Sequence, residues 1–103
     1  MIKVSVLYAN EQGKAFDWNY YLEKHVPMVM GLLGERLKKA EIVQGVSGGT
    51  PGSRPGFVAI GQMYFDTMED FSAAFNAHAE QIMGDIPNYT KIAPLIEIGD
   101  VKM

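Results

Sequence analysis

The sequence predicts an α+β fold with the element order βαββαβ. Its 103 residues fit one ordinary domain. Hydrophobic residues make up 48% of the chain and charged residues 20%, which is typical of a packed globule. Four segments are rich in β-branched and aromatic residues, and two longer segments between them repeat their apolar residues at helical spacing. We therefore expect residues 1–103 to form a single domain.

The first strand and the first helix follow from the N-terminal third of the chain. Apolar and polar residues alternate over 2–8, which predicts a strand with one apolar face. The first helix is predicted over 17–34, with Asp17 as its N-cap and Gly34 as its stop. Pro27 lies inside this helix and has no N–H to donate to the preceding turn, so we expect a kink or break in the two residues before it.

The second strand is predicted over 37–46, where Ala40, Ile42 and Val46 share one face. Residues 47–56 contain four glycines and two prolines, which neither a helix nor a strand ladder accommodates. This segment is predicted to be a loop. A mobile lid over a site is an alternative interpretation of the same composition.

The third strand is predicted over 57–65, and it is apolar on both faces except at Gln62. A second helix then begins at a cap formed by Asp66 or Thr67 and continues to about Gly84. Its apolar stripe consists of Met68, Phe71, Phe75, Ala79 and Ile82.

The last strand is predicted over 92–101, with Ile96 and Ile98 on one face. The complete order of elements matches the ferredoxin-like split βαβ motif. We therefore predict a four-stranded antiparallel sheet with both helices on one of its faces.

The third strand also predicts a homodimer. The two helices of one subunit cover a single face of the sheet, yet both faces of 57–65 carry large apolar residues. A second copy packed sheet to sheet is the simplest cover for the other face. A small apolar patch left open to water is the alternative.

Charge and composition exclude several classes of function. Nine basic against twelve acidic residues give a net charge of −3, so no basic surface for nucleic acid is expected. Cysteine is absent, which excludes disulfides and thiolate metal sites and fits a cytoplasmic protein. No segment resembles a signal peptide or a membrane span, and we expect the mature chain to begin at Met1.

His25 is the main candidate for a functional side chain, because it lies near the middle of the apolar arc of the first helix. Its partners are predicted to be the Glu23 carbonyl, which Pro27 leaves free, and the Tyr21 hydroxyl. A core histidine with satisfied hydrogen bonds is the competing interpretation. The full arc consists of Trp18, Tyr21, Leu22, His25, Met28, Val29, Leu32 and Leu33.

Other side chains are weaker candidates for a functional role than His25. His78 lies off the centre of the second helix's apolar stripe and is either a second ionisable group or an amphipathic residue at the helix edge. No pair of residues has the spacing of metal ligands, so neither a metal ion nor a cofactor is expected.

Several stretches of the chain resemble the EthD family, named for a protein linked to the degradation of ethyl tert-butyl ether. The aromatic pair and His-x-Pro pattern within 16–29 are its most recognisable part. Further similarity lies at 48–52, 64–66, 71–75 and 86–90. The resemblance implies ferredoxin-like subunits whose sheets pair into a dimeric α/β barrel, in a setting of oxidative breakdown of apolar compounds.

Residues and resemblance together predict a site between the helices and the sheet that binds a small apolar or aromatic molecule. His25 is predicted to act as general acid or base there, with Tyr21 orienting it or the substrate. The predicted lining residues are Trp18, Tyr64, Met63 and Phe75, with a polar contact from His78 or Asn88. The reaction is expected to be that of a cofactor-free oxygenase, isomerase or dehydratase.

A non-catalytic protein is the alternative from a different class. It would carry a reactive intermediate, or haem, for a partner oxygenase, and haem would need His25 or His78 as an axial ligand.

Overall fold

The computed structural model describes residues 1–103 and contains one four-stranded sheet. Its strand order is β2-β3-β1-β4, and each pair of neighbours is antiparallel. The strands are β1 Ile2–Ala9, β2 Lys39–Gln44, β3 Phe57–Phe65 and β4 Leu95–Asp100. The helices are α1 Trp18–Tyr20, α2 Val26–Leu33, α3 Met68–Asn76 and α4 Ala79–Gly84. The predicted ferredoxin-like arrangement is therefore confirmed.

The first helical segment contains the irregularity that its proline predicts. Asp17 caps it by accepting a hydrogen bond from the Tyr20 N–H at 3.1 Å. Pro27 has no N–H for the carbonyl of Glu23, and the five residues before α2, Tyr21–His25, widen into a π turn closed by the Val26 N–H. The regular ladder resumes in α2.

The π turn changes which side chains face the core. The wider turn shifts the following residues around the helix axis relative to a regular α-helix. Leu22 is 49% exposed, although the predicted arc placed it inward. Val26, which lay outside that arc, packs against the core instead.

The second predicted helix is divided in two. Thr67, rather than Asp66, is its N-cap and accepts from the Asp70 N–H at 3.1 Å. Helical structure stops at Asn76 and restarts after His78, two residue types with modest helix propensity. Met68 lies in the first turn and is exposed, so its predicted place in the apolar stripe is wrong.

Two strands are shorter than predicted. Strand β2 ends before Gly45, where a side chain would overlap the carbonyl oxygen of Phe57, and Val46 beyond it is 89% exposed. Strand β4 starts only after Pro94, because proline has no N–H to donate to the ladder. Ile92, which was predicted to begin this strand, is buried in the core instead.

The side of the sheet that faces the helices carries the core. Val4 and Tyr8 of β1 and Ala59 and Phe65 of β3 are almost completely buried there. Ile96 and Ile98 of β4 share this side, as predicted.

The opposite side, which we call the open face, carries one apolar row that crosses all four strands. The strand register aligns Val43, Ile60, Leu7 and Leu95 in this row.

No helix of the protein is both long enough and apolar enough to cross a membrane.

Candidate functional site

A cavity of about 310 Å³ lies between the helices and the sheet. All four strands and helices α2, α3 and α4 contribute to its walls, which are formed mainly by aliphatic and aromatic side chains. Its volume is at the lower end of the range for small-molecule sites, which favours a compact ligand. His25 and Tyr21 line it from the π turn.

His25 is paired with a carboxylate that lies sixty residues away in the chain. Its Nδ1 lies 2.9 Å from Oδ2 of Asp85, directly after α4. The imidazole is only 6% exposed. The other carboxylate oxygen of Asp85 accepts hydrogen bonds from the Tyr20 hydroxyl at 2.7 Å and from Nδ2 of Asn88 at 2.8 Å.

Local backbone contacts hold this carboxylate under the π turn. The Asp17 N–H donates to the Tyr89 carbonyl at 2.8 Å, and Phe16 forms a β-bridge with Thr90. These links tie the segment after Asp85 to the start of the first helix, which brings the carboxylate to the imidazole.

The hydrogen bonds at Asp85 keep its carboxyl group ionised. Burial alone raises its pKa, but the hydrogen bonds from Tyr20, Asn88 and His25 outweigh burial, so the pKa lies below its ordinary value. The same contact raises the pKa of the Tyr20 hydroxyl, because losing that proton would place two negative charges together. An ionised carboxylate only accepts, so the Nδ1 of His25 is the donor of the pair.

Two polar atoms of buried residues in the cavity have no protein partner, whereas the other unpaired polar groups of its lining, the amides of Gln62 and Asn76, belong to less buried residues. The two atoms are the Nε2 of His25 and the hydroxyl of Tyr21. Every fully buried side-chain nitrogen or oxygen in the protein has a hydrogen-bond partner, so these two unpaired atoms are accessible from the cavity. With its proton on Nδ1, neutral His25 presents a lone pair at Nε2. Burial, reinforced by the nearby Tyr8, raises the pKa of Tyr21, which therefore remains a hydrogen-bond donor.

Aromatic rings pack closely around the imidazole. Tyr21 stacks on His25 with ring centroids 5.7 Å apart and an interplanar angle of 17°, and Tyr89 lies 4.7 Å from the same ring. The Tyr89 hydroxyl is hydrogen-bonded to that of Tyr8 at 2.5 Å.

The predicted hydrogen-bond partners of His25, the Glu23 carbonyl and the Tyr21 hydroxyl, are wrong, because its partner is the carboxylate of Asp85.

Met63 and Phe75 line the cavity together with His25 and Tyr21. Trp18 lies one layer further out, where its ring packs edge-on against Tyr21 with centroids 5.8 Å apart.

Three other predicted residues lie outside the cavity. Tyr64 is on the open face, where its hydroxyl donates to Glu41 at 3.0 Å. His78 is half-buried at the start of α4. Asn88 is exposed and contacts the site from outside the cavity, through hydrogen bonds to Asp85 at 2.8 Å and to the Tyr20 hydroxyl at 3.3 Å.

Asp85 and Tyr20 are parts of the site that the sequence pattern did not indicate. Asp85 directly follows the end of α4, and nothing in its local pattern distinguishes it from a surface residue at a helix end. Tyr20 was visible only as part of an aromatic pair. Their roles depend on a contact between distant segments.

The arrangement is suited to proton transfer in an apolar environment. A carboxylate oriented on one nitrogen of an imidazole stabilises the imidazolium that forms when the other nitrogen takes a proton. Apolar walls lower the local dielectric constant and so strengthen these electrostatic interactions. No group of three or more histidine, aspartate or glutamate side chains is close enough together to hold a metal ion.

Comparison with known proteins identifies relatives of this fold and sequence. Residues 10–92 match the model of the EthD domain. The chain is 40% identical to an EthD-like protein of Ralstonia eutropha JMP134, with a TM-score of 0.93 over 99% of this chain and 92% of that one. A comparison with curated protein sequences finds no match.

Two more distant structures share the fold. An ethyl tert-butyl ether degradation (EthD) family protein of Bacillus halodurans C-125 is 19% identical, with a TM-score of 0.69 and coverage of 99% of each chain. A protein of Arabidopsis thaliana is 15% identical, with a TM-score of 0.72, and the match covers 100% of this chain and 97% of that one. The domain match and the 40% identity over nearly the whole chain together show that this protein belongs to the EthD family.

Proposed function

We propose that this EthD-family protein binds a small apolar or aromatic molecule in the cavity and that His25 acts on it as a general acid or base. The observation that carries the proposal is the buried pair of His25 and Asp85, with the free imidazole nitrogen open to an apolar cavity. Burying an imidazole and orienting it with a carboxylate costs stability that an aliphatic residue would not cost. Chemistry at that nitrogen explains such a cost.

The residues around the pair have distinct proposed roles. Asp85 is a positioning residue that holds the proton of His25 on Nδ1 and stabilises the charged ring. Tyr21 contributes a hydroxyl to the ligand, while Met63 and Phe75 contact its hydrocarbon body. The name of a related Bacillus halodurans protein, which refers to ethyl tert-butyl ether, supports a role for this chemistry in the breakdown of apolar compounds.

The test is turnover of a panel of phenols, lactones and quinones by the wild-type protein and by His25→Gln. We expect His25→Gln to lower the rate by about 10²-fold or more, while a ligand still binds. His78→Gln is the matched control, because this second histidine lies outside the cavity. Binding is followed by the fluorescence of Trp18, the only tryptophan, which packs against Tyr21. Turnover that is equal in His25→Gln and wild type would contradict the proposal.

The same experiment separates an enzyme from a carrier. A ligand that binds tightly, is released unchanged and shows no dependence on His25 would favour the carrier. Added haemin provides a second comparison, because a Soret shift that is lost in His25→Gln would favour haem as the cargo.

We further propose that the open face pairs with the open face of a second copy. Its apolar row runs across all four strands, so a two-fold axis parallel to the strands would place this row against itself. Leu95 is 61% exposed at one end of the row. Burial of such a row is the ordinary way in which two sheets pack face to face.

Oligomeric state tests this pairing. We expect sedimentation to show a dimer for the wild type and a monomer for Ile60→Glu, which places a charge in the middle of the row. Val46→Glu is the control, because Val46 is exposed and lies outside the sheet. A monomeric wild type at micromolar concentration, or a dimeric Ile60→Glu, would refute the interface.

A further inference from the structure

The two unpaired polar atoms in the buried part of the cavity have complementary roles. The Tyr21 hydroxyl donates a hydrogen bond, because burial keeps it protonated. The Nε2 of His25 accepts a proton, because the Nδ1–H of the ring points to Asp85. A ligand that carries an oxygen that accepts and, close to it, a hydrogen that can leave as a proton satisfies both.

Strand β3 is shaped to bring the Tyr21 hydroxyl to the floor of the cavity. A Cβ atom at Gly61 would come within 2.9 Å of this hydroxyl, which is closer than side-chain carbons normally approach. Any residue larger than glycine at this position would displace the hydroxyl. Gly61 itself is buried and lies in the middle of the strand, where glycine otherwise weakens a sheet.

Burial differs between the polar part of the cavity and its rim. Tyr21 and His25 are 3% and 6% exposed. Most lining residues that reach solvent are apolar: Met30, Met83, Ile96 and Ile98 are 38–47% exposed, and Asn76 is the one exposed polar residue among them. The polar group of a ligand is therefore bound at the buried part of the cavity, and its hydrocarbon body extends along the apolar rim.

We infer that the substrate is a carbonyl compound with a hydrocarbon body and a hydrogen on the carbon next to the carbonyl group. His25 removes that proton, and Tyr21 donates a hydrogen bond to the carbonyl oxygen. This inference rests on the proposed acid/base function of His25 and adds the substrate class and the role of Tyr21. A donor is most valuable where negative charge develops, which in this reaction is the carbonyl oxygen.

The step needs no further reactant. The C–H bond breaks, its electron pair forms a carbon–carbon double bond, and the carbonyl π electrons move to the oxygen that Tyr21 holds. The proton stays on Nε2 of His25, where Asp85 stabilises the charged ring. Its return to the same carbon regenerates the substrate, and its return to another carbon of a conjugated system gives an isomer.

Hydrogen exchange into a simple ketone tests the inference. Phenylacetone is incubated with the protein in D2O, and the loss of its benzylic C–H signal is followed by NMR. We expect exchange well above the buffer rate with wild type and none above it with His25→Gln. In Tyr21→Phe the exchange rate at saturation should fall by about 10²-fold, whereas the Kd, measured by Trp18 fluorescence, should change by less than about tenfold.

Controls separate the chemistry from folding. Tyr21→Phe removes a hydroxyl that has no protein partner, so the fold loses no hydrogen bond. Tyr64→Phe alters a tyrosine on the opposite side of the sheet and should exchange as wild type does. Gly61→Ala should lower exchange in the same direction as Tyr21→Phe, because it moves the hydroxyl.

The outcomes distinguish this inference from the function on which it rests. Phenylacetone that binds without exchange above buffer overturns the carbonyl assignment and leaves the acid/base site standing. Exchange that is unchanged in Tyr21→Phe overturns the role of Tyr21. If neither phenylacetone nor any phenol, lactone or quinone of the panel binds, both proposals fail.

Discussion

Removing the Asp85 carboxylate should destabilise the protein mainly through His25. Asp85 accepts hydrogen bonds from three donors, but two of them, Tyr20 and Asn88, lie near the surface where water can replace the lost acceptor. The imidazole is buried, so in Asp85→Ala its Nδ1–H has no protein acceptor. The energetic effect therefore depends on the presence of His25.

The expected magnitude follows from this difference in burial. A buried donor without a partner costs about 1–3 kcal/mol, and water-exposed hydrogen bonds contribute much less. We expect Asp85→Ala to lower the free energy of unfolding by about 2 kcal/mol. In a His25→Phe background there is no ring N–H to leave unpaired, so the same substitution should cost less than about 0.5 kcal/mol.

Urea denaturation of the four proteins of this double-mutant cycle is the assay, at fixed protein concentration because self-association would couple to stability. Asp66→Ala is the control: this carboxylate is exposed and 3.9 Å from Lys38, so the change should stay within about 0.5 kcal/mol. Equal costs of Asp85→Ala in both backgrounds would refute the reasoning, because they would show that the imidazole does not depend on the carboxylate.

Three further predictions concern pH and packing. Hydrogen bonds lower the pKa of Asp85 in the folded protein below its unfolded value, so its contribution to stability should be complete above about pH 4 and lost as the pH falls through the folded-state pKa. The difference in unfolding free energy between wild type and Asp85→Asn, measured in urea at several pH values, should shrink in acid; a constant difference would contradict the pairing. Gly45→Ala should lower stability by about 1–3 kcal/mol, since the new methyl group overlaps the carbonyl of Phe57 and strains the end of β2; an unchanged melting temperature would show that the strand end yields freely. Phe65→Ala should cost about 3–5 kcal/mol in chemical denaturation, because Phe65 is fully buried, and a loss under about 1 kcal/mol would mean that the core refills the space.

Much of the fold could be predicted because it depends on local periodicity. Strand β3 spans the predicted residues 57–65, and Asp17 caps the first helix as its side chain and position indicate. Pro27 predicts an irregular helix, since the missing N–H is a property of the residue itself. Local chemistry does not specify which form the irregularity takes. It is a π turn, and this turn places Val26 inward and Leu22 outward.

The candidate site was predictable only in part. An imidazole on an apolar helix face indicates His25, and that residue does line a cavity. The assignment of Tyr64 shows the limit: alternation separates the two sides of a strand, but in a strand that is apolar on both sides it does not say which side the helices cover.

The sequence by itself determined the order of the elements, the caps and breaks of the first helix, and the burial of a histidine on that helix. Tertiary structure alone decided that Asp85 is the partner of this histidine and that Tyr21 and His25 open onto one cavity. The physical reason is the distance along the chain over which each kind of interaction acts. Side-chain periodicity and backbone chemistry act over a few residues, whereas a hydrogen bond between residues sixty positions apart exists only when the packed sheet and helices bring them together.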